Sequence, residues 1–185
     1  MHYQCRRKGV SLKQRSIFEL IKDVFVSEPK KQQSVVWSLS VDGASRGNPG
    51  PAGAGIFIKK NNHVHLQKGF FLGKKTNNEA EYLALVIGLL LIKKEMQEGD
   101  SIHIVSDSEL LIKQMNKEYK VRKAELKLLY DVAQLCLASV YYTCTHVLRE
   151  YNQEADRLAN RGIDTKTSLP LTILDTLRSY EIYII

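Results

Sequence analysis

Apolar positions change their spacing several times along this chain of 185 residues, and the changes mark out its elements. Within residues 1–33, Ile17, Phe18, Leu20, Ile21, Val24 and Phe25 recur at helical spacing and predict a short amphipathic helix ahead of Pro29. Lys30 to Ser34 reads as a linker. From Val35 the pattern becomes that of strands, Val35 to Val41, Ala54 to Lys60 and Val64 to Phe71, separated by Gly/Pro-rich and Asn-Asn turns. Three short strands on tight turns predict an antiparallel meander, its first strand ending at Asp42. Thr76 then has the character of a helix cap, and a helix is expected from there to about Gln97, stopped by Gly99-Asp100. Leu83, Val86, Ile87, Leu90 and Leu91 make that helix apolar on nearly every side, which predicts deep burial.

Beyond it the elements alternate. Ile102 to Val105 reads as a compact buried strand, Ser108 to Met115 and Ala124 to Leu137 as helices, Val140 to Val147 as a strand and Gln153 to Arg161 as a last helix. Right-handed crossovers should then add two parallel strands to the first antiparallel ribbon. The expected fold class is α/β: a mixed five-stranded sheet, its first three strands antiparallel and its last two parallel additions, flanked by helices. The organisation expected is a basic extension over 1–33, one globular domain over 34–163 and a tail over 164–185. The tail, from Leu169 onward, is apolar enough to pack, without a predicted position.

Composition changes this picture in three ways. Forty-four per cent apolar and 25% charged residues suit a single globular core. The 27 Lys and Arg against 20 Asp and Glu leave a net charge of +7, which suits a polyanionic partner, with plain solubility as the blander account of such an excess. Residues 1–33 alone carry eight basic residues against three acids. Three cysteines, Cys5, Cys136 and Cys144, are an odd number without metal-ligand spacing, so they argue against a disulfide framework or a zinc site and fit a reducing cytoplasm. The longest apolar run, Ala84 to Ile92, falls well short of the ~18 residues of a membrane span, and no secretory pattern follows the basic N-terminus.

Four short motifs carry the chemistry. Asp42-Gly43 after a strand is by itself an ordinary turn, but it continues as Ala44-Ser45-Arg46-Gly47-Asn48-Pro49-Gly50, a loop that lets backbone approach a ligand closely. Thr76-Asn77-Asn78-Glu79-Ala80-Glu81 opens the long helix; Glu79 is accounted for as a capping acid, whereas Glu81 lies on the side of Leu85 and needs a partner. Asp107, in Ser106-Asp107-Ser108, follows a strand at the edge where α/β sheets place their ligands. Asn152-Gln153-Glu154-Ala155-Asp156 begins the last helix, where acids complement the dipole. Each alone is ambiguous. Two strand ends and two helix starts that converge on one sheet edge would, however, gather four carboxylates without four matching bases, an arrangement that repels itself unless a cation neutralises it. Hard oxygen donors select Mg²⁺ or Mn²⁺, and two such ions about 4 Å apart form a clamp for in-line phosphoryl displacement.

D-G-A-S-R-G-N-P-G, T-N-N-E-A-E, S-D-S and N-Q-E-A-D, in this order and at these intervals, closely resemble the type 1 ribonuclease H family across roughly Val35 to Gly162. The resemblance implies a three-layer ribonuclease H-like fold, in agreement with the element order. It implies that Asp42, Glu81, Asp107 and Asp156 are metal-binding carboxylates for two Mg²⁺ ions, with Mn²⁺ as a substitute, and that Gly43, Asn48, Asn77 and Asn78 contact an RNA/DNA hybrid. It further implies cleavage of the RNA strand to 5′-phosphate and 3′-hydroxyl ends. Two departures stand out. Many relatives carry a basic helical protrusion where Lys117 to Lys123 is only a short basic connection, which resembles the compact branch of the family. Many also carry a mobile catalytic His before the last helix; His146 has the ten-residue spacing to Asp156 but lies in a strand pattern, so Arg149 on the loop is the preferred helper. A monomer is expected, with no obligate protein partner and a homodimer through the extensions left open. A catalytically idle hybrid-binding module and another nuclease of the same superfamily, such as a junction resolvase or a transposase core, stand as alternatives.

Overall fold

The computed structural model describes residues 34–184, so the amphipathic helix expected within residues 1–33 lies outside the described residues. In chain order the elements are β1 (Val36–Ser45), β2 (Gly50–Lys60), β3 (His63–Lys75), α1 (Asn77–Lys93), β4 (Ser101–Ser106), α2 (Glu109–Met115), α3 (Ala124–Leu137), β5 (Tyr141–His146), a 3₁₀ turn (Arg149–Tyr151), α4 (Gln153–Thr165) and α5 (Leu171–Ser179). They form one mixed sheet of order β3-β2-β1-β4-β5. β1 runs antiparallel to β2, and β2 to β3, while β1 pairs in parallel with β4 and β4 with β5. No helix among the described residues is long and apolar enough to cross a membrane.

Local chemistry explains the turns and caps. Asn61 and Asn62 both take positive φ, 48° and 66°, between the paired Lys60 and His63, the conformation a two-residue hairpin needs to follow the twist of its strands. At α1, the Thr76 side chain accepts from the Glu79 backbone N–H while the Glu79 carboxylate accepts from the Thr76 backbone N–H at 2.8 Å, a reciprocal cap. The helix stops at Lys93, a turn short of the expected Gln97, where the Glu95 amide closes a tighter i→i−3 bond on the Ile92 carbonyl. Asp100 then takes the Trp37 indole N–H at 3.0 Å and the Val35 amide at 2.8 Å, tying this turn to the start of β1.

Alternation along β1 divides the layers. Trp37, Leu39 and Val41 are buried toward α1, where Gly88 lies against Leu39. α4 covers β2 and β3 from the opposite face, and a bare stripe lets it in: a Cβ built on Gly55 would stand 1.9 Å from the Ala155 carbonyl oxygen, and one on Gly69 1.9 Å from that of Leu158. The tail, which had no predicted position, adds α5 to the core through Leu169, Ile173, Leu177 and Ile182, all buried.

Three strands outrun expectation: β2 starts at Gly50 rather than Ala54, β3 runs on to Lys75 rather than Phe71, and the end of β1 builds the site. β1 does not finish at Asp42 but continues to Ser45, because Gly43, Ala44 and Ser45 stay paired with Ala54, Gly53 and Ala52 of β2. Its parallel ladder with β4 stops earlier, at Ser40 and Val105. The sheet therefore splits beside Asp42.

Candidate active site

Asp42 lies in that split, 9% exposed. Gly43 allows the second carboxylate to join it, since a Cβ there would lie 2.1 Å from the Glu81 backbone nitrogen and 2.3 Å from the Ala80 carbonyl carbon. The first turn of α1 thus rests on bare β1 backbone, which carries Glu81 to the end of the sheet. Asp107 follows the last residue of β4, and Asp156 comes from the first turn of α4. All four border one polar cleft of about 320 Å³, together with Gly43, Asn77, Ser108, Arg149 and Asn160.

The electrostatics of the cleft are those of acids in excess. Burial, with the charges of Asp107, Asp156 and Glu81 behind it, pushes the Asp42 carboxyl up to about 7. Asp42 senses all three others, which makes it the centre of the group. Glu81 is also raised, chiefly by burial, and is restrained by two donors: Ser108 Oγ at 2.6 Å and Asn77 Nδ2 at 2.8 Å. Asp107 accepts from Asn152 Nδ2 at 2.6 Å, and Asp156 pairs with the Arg149 guanidinium at 2.6 Å. Arg149 is the cation at this cluster among the described residues that line the cleft, so most of the carboxylate charge is left to something else.

Divalent cations fit that excess of negative charge. The donors are all oxygen, three of the four carboxylates are oriented by neighbours, and Asp42 is strained toward protonation as it stands. Among the described residues no three acidic, His or Cys side chains are gathered tightly enough to hold an ion by themselves.

The residues expected to contact substrate separate into two places. Asn77 stands in the cleft, and its backbone N–H donates to Asn48 Oδ1 at 3.2 Å, which staples the Gly-rich loop to the start of α1. Asn78 does not reach the carboxylates; it lines a neighbouring groove with Thr76, Glu79 and Lys123, because residues 77 and 78 project about 100° apart around the helix. His146 ends β5, exposed, with its ring 3.2 Å from the Asp107 carbonyl and outside the cleft lining. Arg149 opens the 3₁₀ turn rather than an irregular loop. Ser108, Asn152 and Asn160 carry no role that the sequence pattern points to. Ser108 and Asn152 both sit at helix starts, where Ser and Asn are accounted for as caps, and that ordinary explanation hides them.

A sheet of this order with acids converging at its central split defines an α/β fold built around a carboxylate cleft. Residues 40–162 match the family model described as reverse transcriptase-like. The chain is 30% identical over 150 residues to a ribonuclease H of Coxiella burnetii, covering 73% of this chain and 94% of that protein. It is also 39% identical over 131 residues, 68% of this chain, to the bifunctional protein Rv2228c of Mycobacterium tuberculosis, of which it spans only 35%. Among solved structures, LC11-RNase H1, isolated from compost by a metagenomic approach and crystallised in complex with an RNA/DNA hybrid, superposes with a TM-score of 0.65 at 32% identity, over 70% of this chain and 97% of that one. The chain belongs to the type 1 ribonuclease H family.

Proposed function

We propose that this protein hydrolyses the RNA strand of RNA/DNA hybrids, using two divalent cations held by Asp42, Glu81, Asp107 and Asp156, and leaves 5′-phosphate and 3′-hydroxyl ends. The observation that carries the reading is the convergence of four carboxylates on one cleft, with Asp42 pushed up to about 7 by burial and by the other three. An idle binding module would have no use for uncompensated acids facing a polyanion. When bound, the cations supply Lewis-acid activation of the attacking water and of the leaving 3′ oxygen. Asp42, which feels the charge of each of the other three acids, would hold the cations together with them. Ser108 and Asn77 fix the rotamer of Glu81, and Asn48 holds the Gly-rich loop against the sugar-phosphate track. The amides of Asn48, Asn77 and Asn78 both donate and accept, as sensing of a ribose 2′-hydroxyl requires. The expected result is cleavage of a labelled RNA/DNA hybrid in Mg²⁺ and none of duplex DNA, with loss in EDTA and recovery in Mn²⁺; a chain that leaves the hybrid intact in both metals would sink the proposal.

Arg149 is assigned as the helper that meets substrate or product phosphate, since its exposed side chain already reaches the cleft, where it pairs with Asp156. Arg149→Ala is expected to lower kcat by on the order of 100-fold, and His146→Ala by much less. Steady-state kinetics on the two variants decide between them, and a larger loss from His146→Ala would reverse the assignment.

Strand-independent attraction is assigned to the connection between α2 and α3, which stands where many relatives carry their protrusion. Lys117, Lys120 and Arg122 are exposed there, and the Lys113 ammonium lies 4.9 Å from the Tyr119 ring centre. A cation that neutralises a phosphate releases counterions, so replacing all three by Gln should flatten the plot of log affinity against log salt by up to ~0.9 for each phosphate no longer neutralised, while sparing kcat. An unchanged slope from a hybrid-binding titration across salt would remove this surface from the interface. The free thiols of Cys136 and Cys144 fit work in a reducing cytoplasm.

A further inference from the structure

We infer that Asn152 is a positioning residue for the carboxylate centre, its single amide holding Asp107 and the start of α4 in register with β1. Asn152 is 2% exposed and occupies the cap position of α4, four residues before Asp156. An Asn there ordinarily turns its side-chain oxygen onto the free amides of the first turn. This one makes no such bond. Its Nδ2 donates to the Val41 carbonyl at 3.0 Å and to Asp107 Oδ1 at 2.6 Å, while its Oδ1 is buried without a partner among the described residues. A reversed amide would face two acceptors with an oxygen, so the orientation is set by Val41 and Asp107.

The arrangement is costly for α4 considered alone. The helix forgoes a side-chain cap, and a buried acceptor goes unpaired, although a serine at the same place would cap the helix without burying an amide oxygen. What the amide gains is a junction of three elements at the split in the sheet. The Val41 carbonyl lies one residue beyond the last β1–β4 pair, and it adjoins Asp42. Asp107 follows the end of the neighbouring strand, and Asn152 itself leads into the first turn of α4, which carries Asp156. With one Asp107 oxygen committed to Asn152, the other carries no hydrogen bond among the described residues and is left for a cation or its water. Partners of this kind, which orient a metal-binding side chain without touching the ion, typically alter metal affinity or activity by about 10- to 100-fold when removed.

The assignment rests on the two-cation reading of the cleft, and its test separates the two. Wild type, Asn152→Ala and Asn152→Ser are compared for melting temperature, for Mn²⁺ affinity by paramagnetic resonance titration without substrate, and for kcat and KM on a hybrid. Serine restores a cap to α4 but is too short to span Val41 and Asp107. Asn152→Ser is therefore expected to melt above Asn152→Ala, while both variants bind Mn²⁺ about 10- to 100-fold more weakly and lose kcat with KM little changed. If Mn²⁺ affinity and kcat instead rise and fall with melting temperature, or if Asn152→Ser matches wild type in both, the positioning role is overturned and Asn152 is a stitch between β1 and α4. A wild-type chain that binds Mn²⁺ without cutting a hybrid would overturn the proposed reaction and leave the comparison of Mn²⁺ affinities standing.

Discussion

Asp42→Asn is expected to yield a folded protein whose kcat on an RNA/DNA hybrid has fallen by on the order of 10²- to 10³-fold or more, and which melts above wild type in metal-free buffer. Both effects follow from one carboxylate. The amide keeps the volume and still accepts the Gly43 N–H that Asp42 uses, but it lacks the charge that would hold a divalent cation. The stability gain has a defined pH window. A carboxyl raised from 3.8 to about 7 favours the folded state while protonated, so its contribution is complete below about pH 4 and is lost as the pH rises through 7. The corresponding ionisation penalty is about 4 kcal/mol in the metal-free protein. Above pH 7 the variant escapes it, and its melting temperature should exceed that of wild type by on the order of 10 °C. The difference should close toward pH 4, and Mg²⁺ should raise the wild-type midpoint more than that of the variant. Calorimetric scans in EDTA across pH 4 to 8 check the point; a variant that melts below wild type at pH 8 would mean that burial and neighbouring charge do not penalise an ionised Asp42.

Gly43→Ala is expected to damage fold and activity together, by about 3 kcal/mol of stability or more, the upper range for an overpacked core. The new methyl would collide with backbone at Ala80 and Glu81, which cannot rotate aside as a side chain can. Relief requires the first turn of α1 to lift from β1, and that lift carries Glu81 away from Asp42. The family resemblance makes Gly43 a substrate contact; its dominant service here is to let two carboxylate-bearing elements touch. Denaturant unfolding and Mn²⁺ binding on the same preparation measure both losses, and an alanine variant with wild-type midpoint and activity would show that the contact relaxes at no cost.

Wherever a local rule acts on neighbouring residues, the sequence is legible. Thr76 and Glu79 cap α1 as their spacing requires, the Asn-Asn pair turns a hairpin, and of the apolar ring Leu83, Val86 and Ile87 lie buried, while Leu90 and Leu91, nearer the helix end, are only half-buried. α3 runs from Ala124 to Leu137 as expected, and the five-stranded mixed sheet has its first three strands antiparallel and its last two added in parallel. The four acids stand out because each lies in a short motif close to an element end that the sequence marks. The full extent of β1 does not show in the sequence because Gly43, Ala44 and Ser45 have little strand character of their own; they are extended because β2 pairs with them. The position of the tail is equally hidden, since an apolar stretch states that it will be covered but not by what.

Local spacing by itself therefore determined the elements, their order, their alternation of buried and exposed positions, and the four carboxylates as candidates, since periodicity and capping involve residues a few positions apart. Tertiary structure alone decided where the sheet splits, that Asn77 faces the acids while Asn78 faces another groove, and that Asn152 reaches Val41, 111 residues back in the chain. It alone raised the Asp42 carboxyl toward neutrality, because burial and charge repulsion depend on groups drawn from β1, α1, β4 and α4 at once. Those distances are set by how closely backbone can approach backbone, at Gly43 against Glu81 and at Gly55 against Ala155, and such contacts are properties of pairs of elements rather than of any one segment.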